Sequence, residues 1–142
     1  RLVFSAHGVS RDDWRQKTEL LQSVPGVGAT TAATLIAGHP RLGQTNRQQA
    51  AALVGLAPYN NDSGPHRGKR TIWGGRASVR STLYMAALTA RRCNPAIRRF
   101  AQRLEQQGKP FKVVITACMR KLLVILNTLL KNNTPWNPDL YQ

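Results

Sequence analysis

A break between two helical patterns lies in residues 20–36, which read Leu20-Leu21-Gln22-Ser23-Val24-Pro25-Gly26-Val27-Gly28-Ala29-Thr30-Thr31-Ala32-Ala33-Thr34-Leu35-Ile36. Pro25 lacks a backbone N–H, and Gly26 and Gly28 reach turn conformations that other residues avoid, so helical periodicity stops here. It resumes at Ala29 with a run of small and aliphatic residues. The stretch therefore predicts two helices joined by a tight turn.

Helical patterns extend from this turn in both directions. Ser10 followed by two aspartates is typical of a helix start, and the apolar positions after it predict a helix to about Gln22. The second helix is predicted from about Ala29 to Ala37, where a glycine and a proline soon follow. A third helix is predicted to begin at residue 45 or 46.

The turn has the residue pattern of a helix-hairpin-helix: two apolar residues, a spacer, Pro-Gly-aliphatic-Gly, then alanine and aliphatic residues in the second helix. Gly26 and Gly28 would let the backbone approach a phosphate, and the free N–H groups that start the second helix would point at it. Such a contact positions DNA without reading its sequence. The alternative interpretation is a helix–helix turn that binds no ligand.

Between Gly55 and Gly75 the helical periodicity disappears, and a loop this long is usually functional or disordered. It contains Ser63, which is followed by the basic residues Arg67, Lys69, Arg70 and Arg76. A serine that attacks a phosphodiester needs an exposed hydroxyl, a proton acceptor, and guanidinium groups around the non-bridging oxygens. Asp62 and His66 are the local candidates for the acceptor. From the residues alone, an ordinary turn remains the favoured interpretation of Asn-Asp-Ser-Gly.

Helical periodicity returns after the loop and continues almost to the end of the sequence. One helix is predicted from Arg76 to about Cys93, a second from the N-cap pair Asn94-Pro95 to Gly108, and a third from Lys109-Pro110 to about Lys131. The tail after it is predicted to be non-helical. No strand pattern is convincing, so the sequence predicts a single all-α domain.

Apolar spacing within the last helix predicts its core face: Val113, Val114, Ala117, Leu122, Ile125, Leu126 and Leu129. Cys93 and Cys118 both fall in helical patterns and are interpreted as small, reduced core residues.

The charge of the chain is strongly one-sided. Lys and Arg number 21 against six acidic residues, which gives a net charge of +15, and 14 of the basic residues lie between Arg67 and Lys121. Because solvated surfaces normally mix both signs, this distribution favours a nucleic-acid partner over a merely soluble surface. The candidate nucleic-acid-binding residues are Gly26, Gly28, Arg67, Lys69, Arg70, Arg76, Arg80, Arg91, Arg92, Arg120 and Lys121, with Arg98, Arg99 and Arg103 as further phosphate contacts.

The sequence lacks the residues that several classes of functional site require. Two-metal nucleases need converging carboxylates, and between residues 20 and 138 the sequence has only Asp62 and Glu105. The histidines are scattered away from the cysteines, so no zinc site is expected, and a Gly-rich Lys-Ser/Thr phosphate loop is missing. The longest apolar run near the C-terminus is residues 122–126, so no membrane span is expected. Because the first residue is Arg1, the chain is interpreted as a fragment of a longer protein.

The hairpin is followed in order by Leu53-Val54-Gly55-Leu56-Ala57-Pro58, Ser63-Gly64, Arg67-Gly68-Lys69-Arg70, Gly74-Gly75-Arg76, Arg80, Leu83-Tyr84-Met85-Ala86-Ala87, Asn94-Pro95, Gly108-Lys109-Pro110 and Ala117-Cys118-Met119-Arg120-Lys121-Leu122-Leu123. In this order the chain, from about residue 20 to residue 136, resembles the C-terminal transposase domain of the insertion-sequence one-ten family. Piv-type DNA invertases are similar.

This resemblance implies a two-part recombinase. An N-terminal RuvC-like domain with a DEDD carboxylate set would bind Mg²⁺, and the present domain would supply a serine nucleophile, Ser63, that forms a phosphoserine link with DNA. It also implies a bridge RNA that guides donor and target DNA, a homo-oligomer in the active complex, and a bacterial, nucleoid-associated cytoplasmic location. Since the RuvC-like domain is absent from this chain, the isolated chain is expected to be weak or inert in catalysis.

Two other interpretations remain open. The domain could be a non-catalytic module in which the hairpin and the arginine-rich helices only hold DNA or RNA. It could also be a protein-interaction domain that uses the apolar face of its last helix.

Overall fold

The computed structural model describes residues 11–44, 46 and 74–141, and within them every regular element is helical. In that part of the chain lie α1 Arg11–Gln22, α2 Ala29–Gly38, α3 Gly74–Cys93, α4 Pro95–Gln106, α5 Phe111–Asn132 and a 3-10 helix Pro138–Tyr141. No strand occurs among these residues, so the predicted all-α fold class is confirmed.

The helix bounds lie within about two residues of the predicted ones wherever the structure describes them. α2 ends at Gly38, one residue later than expected, and α3 already begins at Gly74. The last two residues assigned to the loop are therefore helical. Glycine is a poor helix former, which is why the pattern placed them in the loop, but its penalty is tolerated in a first turn. The predicted helix from residue 45 or 46 and the loop over 55–73 lie outside the described residues.

The core is built around α5, which packs against α1, α3 and α4 and buries ten of its residues. α3 packs on the other side against α2 and α4, and its alanines Ala86, Ala87 and Ala90 are buried at these contacts. Small side chains let helix axes approach closely, so α3 fits between three neighbours. The predicted core face of α5 is wrong at Val113, which is 47% exposed because the first turn, residues 111–113, extends past the core.

By length and composition alone, α5 is apolar enough to cross a membrane, which the sequence pattern did not lead us to expect. Of its most apolar 18-residue window, 56% is buried inside the fold. The core helix of a soluble protein passes the same test, since its apolar face is covered by neighbouring helices.

The two cysteines differ in environment. Cys118 of α5 is fully buried, as predicted, and burial raises the pKa of its thiol to about 11. Cys93 is exposed, so its assignment to the core is wrong. It is the last residue of α3, next to the buried Asn94, and the turn into α4 leaves it on the outer side.

Side-chain hydrogen bonds, one of them to a buried side chain and two between exposed groups, hold neighbouring segments against α5 and its end. The Asn127 side chain is buried, and its Oδ1 accepts a hydrogen bond from Gly43 N–H at 2.6 Å. A Cβ at Gly43 would lie 2.7 Å from Leu130 Cβ, so this turn is held against the helix by close backbone approach. At the far end, Trp136 N–H donates to Ser23 Oγ at 2.8 Å, and Gln16 Nε2 donates to Asn133 Oδ1 at 3.3 Å. The tail is thereby tied to α1.

Candidate nucleic-acid interface

The turn between α1 and α2 carries one glycine that faces the core and one that faces outward. Gly26 has a φ of +104°, and a Cβ there would lie 2.8 Å from Ala90 Cβ on α3. Gly28 has a φ of −94°, and a Cβ there would meet no atom within 4 Å. The sequence assigned both glycines to phosphate binding, but the surroundings of Gly26 give it a part in helix packing, while Gly28 is open to a ligand.

The N-terminus of α2 is open on the outer side of this turn. Gly28 is its N-cap residue, and no side chain caps the helix. The first hydrogen bond of the helix runs from Ala32 N–H to Gly28 O, so the N–H groups of residues 29–31 have no acceptor within the helix. Together with the positive end of the helix dipole, such N–H groups favour an anionic ligand.

Asn94 links this turn to the arginine-bearing helices. Its side chain is fully buried, and Oδ1 accepts hydrogen bonds from Ala96 N–H at 3.0 Å and Ile97 N–H at 3.3 Å, which caps α4. Its Nδ2 donates to Pro25 O at 3.1 Å. The cap was predicted from the sequence, whereas the bond to Pro25 joins positions 69 residues apart and leaves no local signal. The turn and the α3–α4 junction are therefore held as one unit.

Helix α3 carries the described basic residues that follow the predicted serine loop. Arg76 lies in its first turn, and Arg80, one turn later, is exposed while Val79 and Leu83 are buried. Arg80, a candidate nucleic-acid-binding residue, thus lies on the exposed side of α3, beside its buried face. Ser63 and the basic residues Arg67, Lys69 and Arg70 lie outside the described residues.

A surface groove of about 420 Å³ runs along this outer face of α3, lined by Ala77, Arg80, Ser81, Tyr84, Met85 and Met119. Met85 is 61% exposed and Tyr84 38%. The sequence pattern marked Arg80 as a candidate nucleic-acid-binding residue and assigned no binding role to Tyr84 or to the methionines. The sequence did contain a signal for this exposure. Met85 lies outside the apolar face of its helix, where a large apolar side chain has no core to enter.

Arg91 has partners within the fold. Its guanidinium forms an ion pair with Glu105 of α4 and lies 5.7 Å from the ring centroid of Phe111. The only carboxylate between residues 67 and 121 is therefore already engaged with one arginine. Arg92 is exposed, and its backbone carbonyl accepts a hydrogen bond from Arg98 at 3.1 Å.

A second cationic group lies between α4 and α5. Arg103 and Lys121 both approach the ring of Phe100, at 5.9 Å and 4.9 Å from its centroid. Burial, and then the nearby Arg103 charge, lower the pKa of Lys121 below its usual 10.5. Arg120, next to Lys121, is half-buried, whereas Arg98 and Arg99 are exposed on α4.

Metal ligands do not converge anywhere in the described part of the chain: no three side chains among His, Cys, Asp and Glu lie close enough there to hold an ion. The chemistry that these described residues offer is cationic contact and backbone N–H donation.

The sequence is similar to a known family. The model of the transposase IS116/IS110/IS902 family matches residues 18–102, a stretch that includes the turn between α1 and α2, residue 63 and the whole of α3.

Individual relatives extend the similarity. The chain is 32% identical over 133 residues to the pilin gene-inverting proteins of Moraxella bovis and of Moraxella lacunata, which covers 89% of this chain and 40% of each relative. It is 29% identical over 120 residues to an uncharacterized 43.6 kDa protein of insertion element IS110 from Streptomyces coelicolor, covering 81% of this chain and 29% of that protein. The chain thus spans less than half the length of these relatives.

Proposed function

Because the chain belongs to the IS116/IS110/IS902 transposase family, we propose that it is the C-terminal domain of a DNA transposase and supplies Ser63 as the nucleophile for strand cleavage and exchange. The observation that carries the proposal is the family match over residues 18–102, since it spans Ser63 together with the elements that surround it in sequence. The similarity to pilin gene-inverting proteins supports the same class of reaction, DNA rearrangement.

The proposed reaction is a phosphoryl transfer in two steps. Ser63 Oγ loses its proton to a base, for which Asp62 and His66 are candidates, and attacks a DNA phosphorus. The new bond joins Oγ to phosphorus, the bond from phosphorus to one deoxyribose oxygen breaks, and this oxygen takes up the proton held by the base and leaves as a hydroxyl. A hydroxyl from the partner strand then attacks the phosphoserine and frees Ser63. The energy of the broken phosphodiester is kept in the phosphoserine.

Arginines would stabilise this reaction electrostatically. Guanidinium groups bind non-bridging phosphate oxygens in pairs of hydrogen bonds, which strengthen as negative charge develops. We assign this role to Arg67 and Arg70, which follow Ser63 in sequence, and to Arg76 and Arg80, which continue the same basic stretch onto α3, while Lys69 would add a compact charge.

The remaining basic residues are proposed to hold the nucleic acids in place. The open N-terminus of α2 at Gly28 would bind one DNA phosphate, and Arg91, Arg92, Arg120 and Lys121 extend the positive surface. We also propose a guide RNA as a second polyanionic partner, as the resemblance to this family implies, and the net charge of +15 suits contact with two polyanions. A homo-oligomer acting on the bacterial nucleoid would complete the assembly.

A magnesium site is proposed for a RuvC-like domain outside these 142 residues. The described residues do not fit such an ion, since they bring no three candidate ligands together. When bound there, Mg²⁺ would polarise the phosphate under attack.

A second candidate is a non-catalytic binding module. It is favoured by the hairpin geometry, because an open helix N-terminus tied by Asn94 to basic helices can hold nucleic acid without any nucleophile. In that case cleavage would be performed by another part of the protein.

The test is to trap the covalent intermediate. Full-length protein is incubated with Mg²⁺, guide RNA and a nicked DNA substrate, and any adduct is mapped by mass spectrometry. Ser63→Ala is compared with Ser78→Ala, an exposed serine of α3 that serves as a matched control. We expect an adduct on Ser63 that disappears only in Ser63→Ala. Cleavage without an adduct, or unchanged cleavage in Ser63→Ala, would establish the binding module instead.

A further inference from the structure

The ring of Phe100 has two cations beside it, one from each of two helices. Arg103 lies one turn further along α4, and its guanidinium carbon is 5.9 Å from the ring centroid. Lys121 comes from α5, with Nζ 4.9 Å from the same centroid. Each distance is within the range of a cation–π interaction, so both positive charges lie close to the same aromatic ring.

This region contains two positive charges and little to neutralise them. Glu105, the carboxylate nearest in sequence, forms its ion pair with Arg91. Cys118 stands one turn before Lys121, but burial raises the pKa of its thiol to about 11, so near neutral pH it is uncharged. Within the described residues no carboxylate pairs with either Arg103 or Lys121.

The pair is held in place although its charges repel. Lys121 is half-buried, and its pKa is lowered by burial first and by the charge of Arg103 second. Like charges at short range are unfavourable, and the partial burial of Lys121 adds to the cost, although Arg103 is exposed. An anion between them would relieve both effects, which is the behaviour of a preformed anion site.

We propose that Arg103 and Lys121 bind one backbone phosphate of a nucleic acid, on a face formed by α4 and α5. This inference rests on the proposed function and adds a defined contact to it. A phosphodiester suits the pair, because the arginine can donate two hydrogen bonds to its oxygens while the lysine adds a compact charge. DNA and RNA share this chemistry, so the test includes both.

The experiment measures binding of the 142-residue chain to a fluorescent DNA duplex and to an RNA hairpin by anisotropy, over a range of salt concentrations. The variants are Arg103→Gln, Lys121→Gln and the double variant. Lys131→Gln is the control: it removes one charge from the exposed last turn of α5, about 15 Å along the helix from Lys121. Circular dichroism checks that all variants keep their helical content.

Each phosphate contact contributes roughly one unit to the slope of log Kd against log salt. Because both side chains bind the same phosphate, we expect the double variant to lose about one unit of slope, each single variant no more than that, and Lys131→Gln none. Loss with only one of the two probes identifies which nucleic acid occupies the site. A double variant with the wild-type slope on both probes overturns the phosphate site and leaves the proposed function standing. A wild-type chain that binds neither probe overturns both.

A second measurement does not depend on any variant. The pKa of the Lys121 amino group is followed by NMR in the wild-type chain, with and without the nucleic acid. We expect the pKa to rise on binding, because a phosphate favours the charged amine. An unchanged pKa in a saturated complex contradicts the proposal.

Discussion

Gly26 and Gly28 stand two residues apart and meet opposite constraints. Gly26 combines a φ of +104° with a close approach to Ala90, whereas Gly28 has an ordinary φ and open space. Gly26→Ala should therefore cost about 2–4 kcal/mol of unfolding free energy, from left-handed strain and overpacking. Gly28→Ala, the matched control, should cost less than about 1 kcal/mol. Urea denaturation measures both, and equal costs would contradict the packing role of Gly26.

Asn94 acts through three hydrogen bonds, two that cap α4 and one to Pro25 O. Asn94→Ala should cost about 2–3 kcal/mol, since it removes the cap and leaves a polar group unpaired. Asn94→Asp keeps the acceptor but not the donor, so it should fall between the wild type and Asn94→Ala. The readout is the urea midpoint at constant m-value, with the exposed Asn132→Ala as the control. A neutral Asn94→Ala would show that the turn is not tied to α4.

Cys93 and Cys118 should react at very different rates. Cys93 is exposed and should be labelled by a thiol reagent at pH 8, whereas Cys118 should react only on unfolding. Because the pKa of Cys118 in the folded chain, about 11, lies above its ordinary value of 9.0, its contribution to stability is intact below pH 9 and is lost as pH rises toward 11. Replacing it by Ala should remove this part of the alkaline loss. Labelling of two thiols at equal rates would refute the prediction.

The helices themselves show why sequence patterns predict some features and not others. Asn94-Pro95 and Gly108 mark the bounds of α4 by local chemistry, so its position was predictable. Cys93 and Val113 share apolar character with core residues, but their burial depends on how neighbouring helices cross, which periodicity does not record. The ion pair of Arg91 and Glu105 likewise joins different helices and was not foreseen.

Lys121 of α5 contacts α4, and keeping its positive charge there lowers the stability of the fold. Nucleic-acid binding can explain why the charge is kept. Lys121→Met keeps the apolar stem and removes a charge whose pKa is lowered in the fold. We expect this variant to be at least as stable as the wild type and to bind nucleic acid more weakly. Relative to Lys121→Met, the wild type should gain stability as pH rises from the folded pKa of Lys121 toward 10.5, because its unfolded chain then binds more protons at this residue. Thermal melts and anisotropy test this, and a loss above about 1 kcal/mol would assign Lys121 a structural role.

For the molecule as a whole, we expect binding without catalysis. The 142-residue chain should bind DNA with a strong salt dependence, as its net charge of +15 requires. It should show no strand transfer, because the metal site is proposed to lie in another domain. A strand-transfer assay compares the chain with the full-length protein under the same Mg²⁺ and guide RNA. Strong strand transfer by the chain alone would contradict a composite site.

The candidate site was predictable only in outline. Composition and charge indicated a polyanionic partner, and the order of motifs indicated the family, which the match over residues 18–102 shows. The division of labour between Gly26 and Gly28, and the sharing of Phe100 by Arg103 and Lys121, depend on contacts between distant segments. Such contacts have no local sequence signature, so they follow only from the fold.

The contact between α1 and the tail also shapes how the molecule meets its partner. α1 has as many acidic as basic residues, and the tail that it touches carries Asp139 and no cation, whereas α3 to α5 hold twelve basic residues and a single acidic one. Within the described residues, the positive charge is therefore concentrated on α3 to α5 and not on α1 and the tail. We expect this asymmetry to orient the molecule in the field of a polyanion, so that the α3–α5 side meets it first and fewer encounters are unproductive.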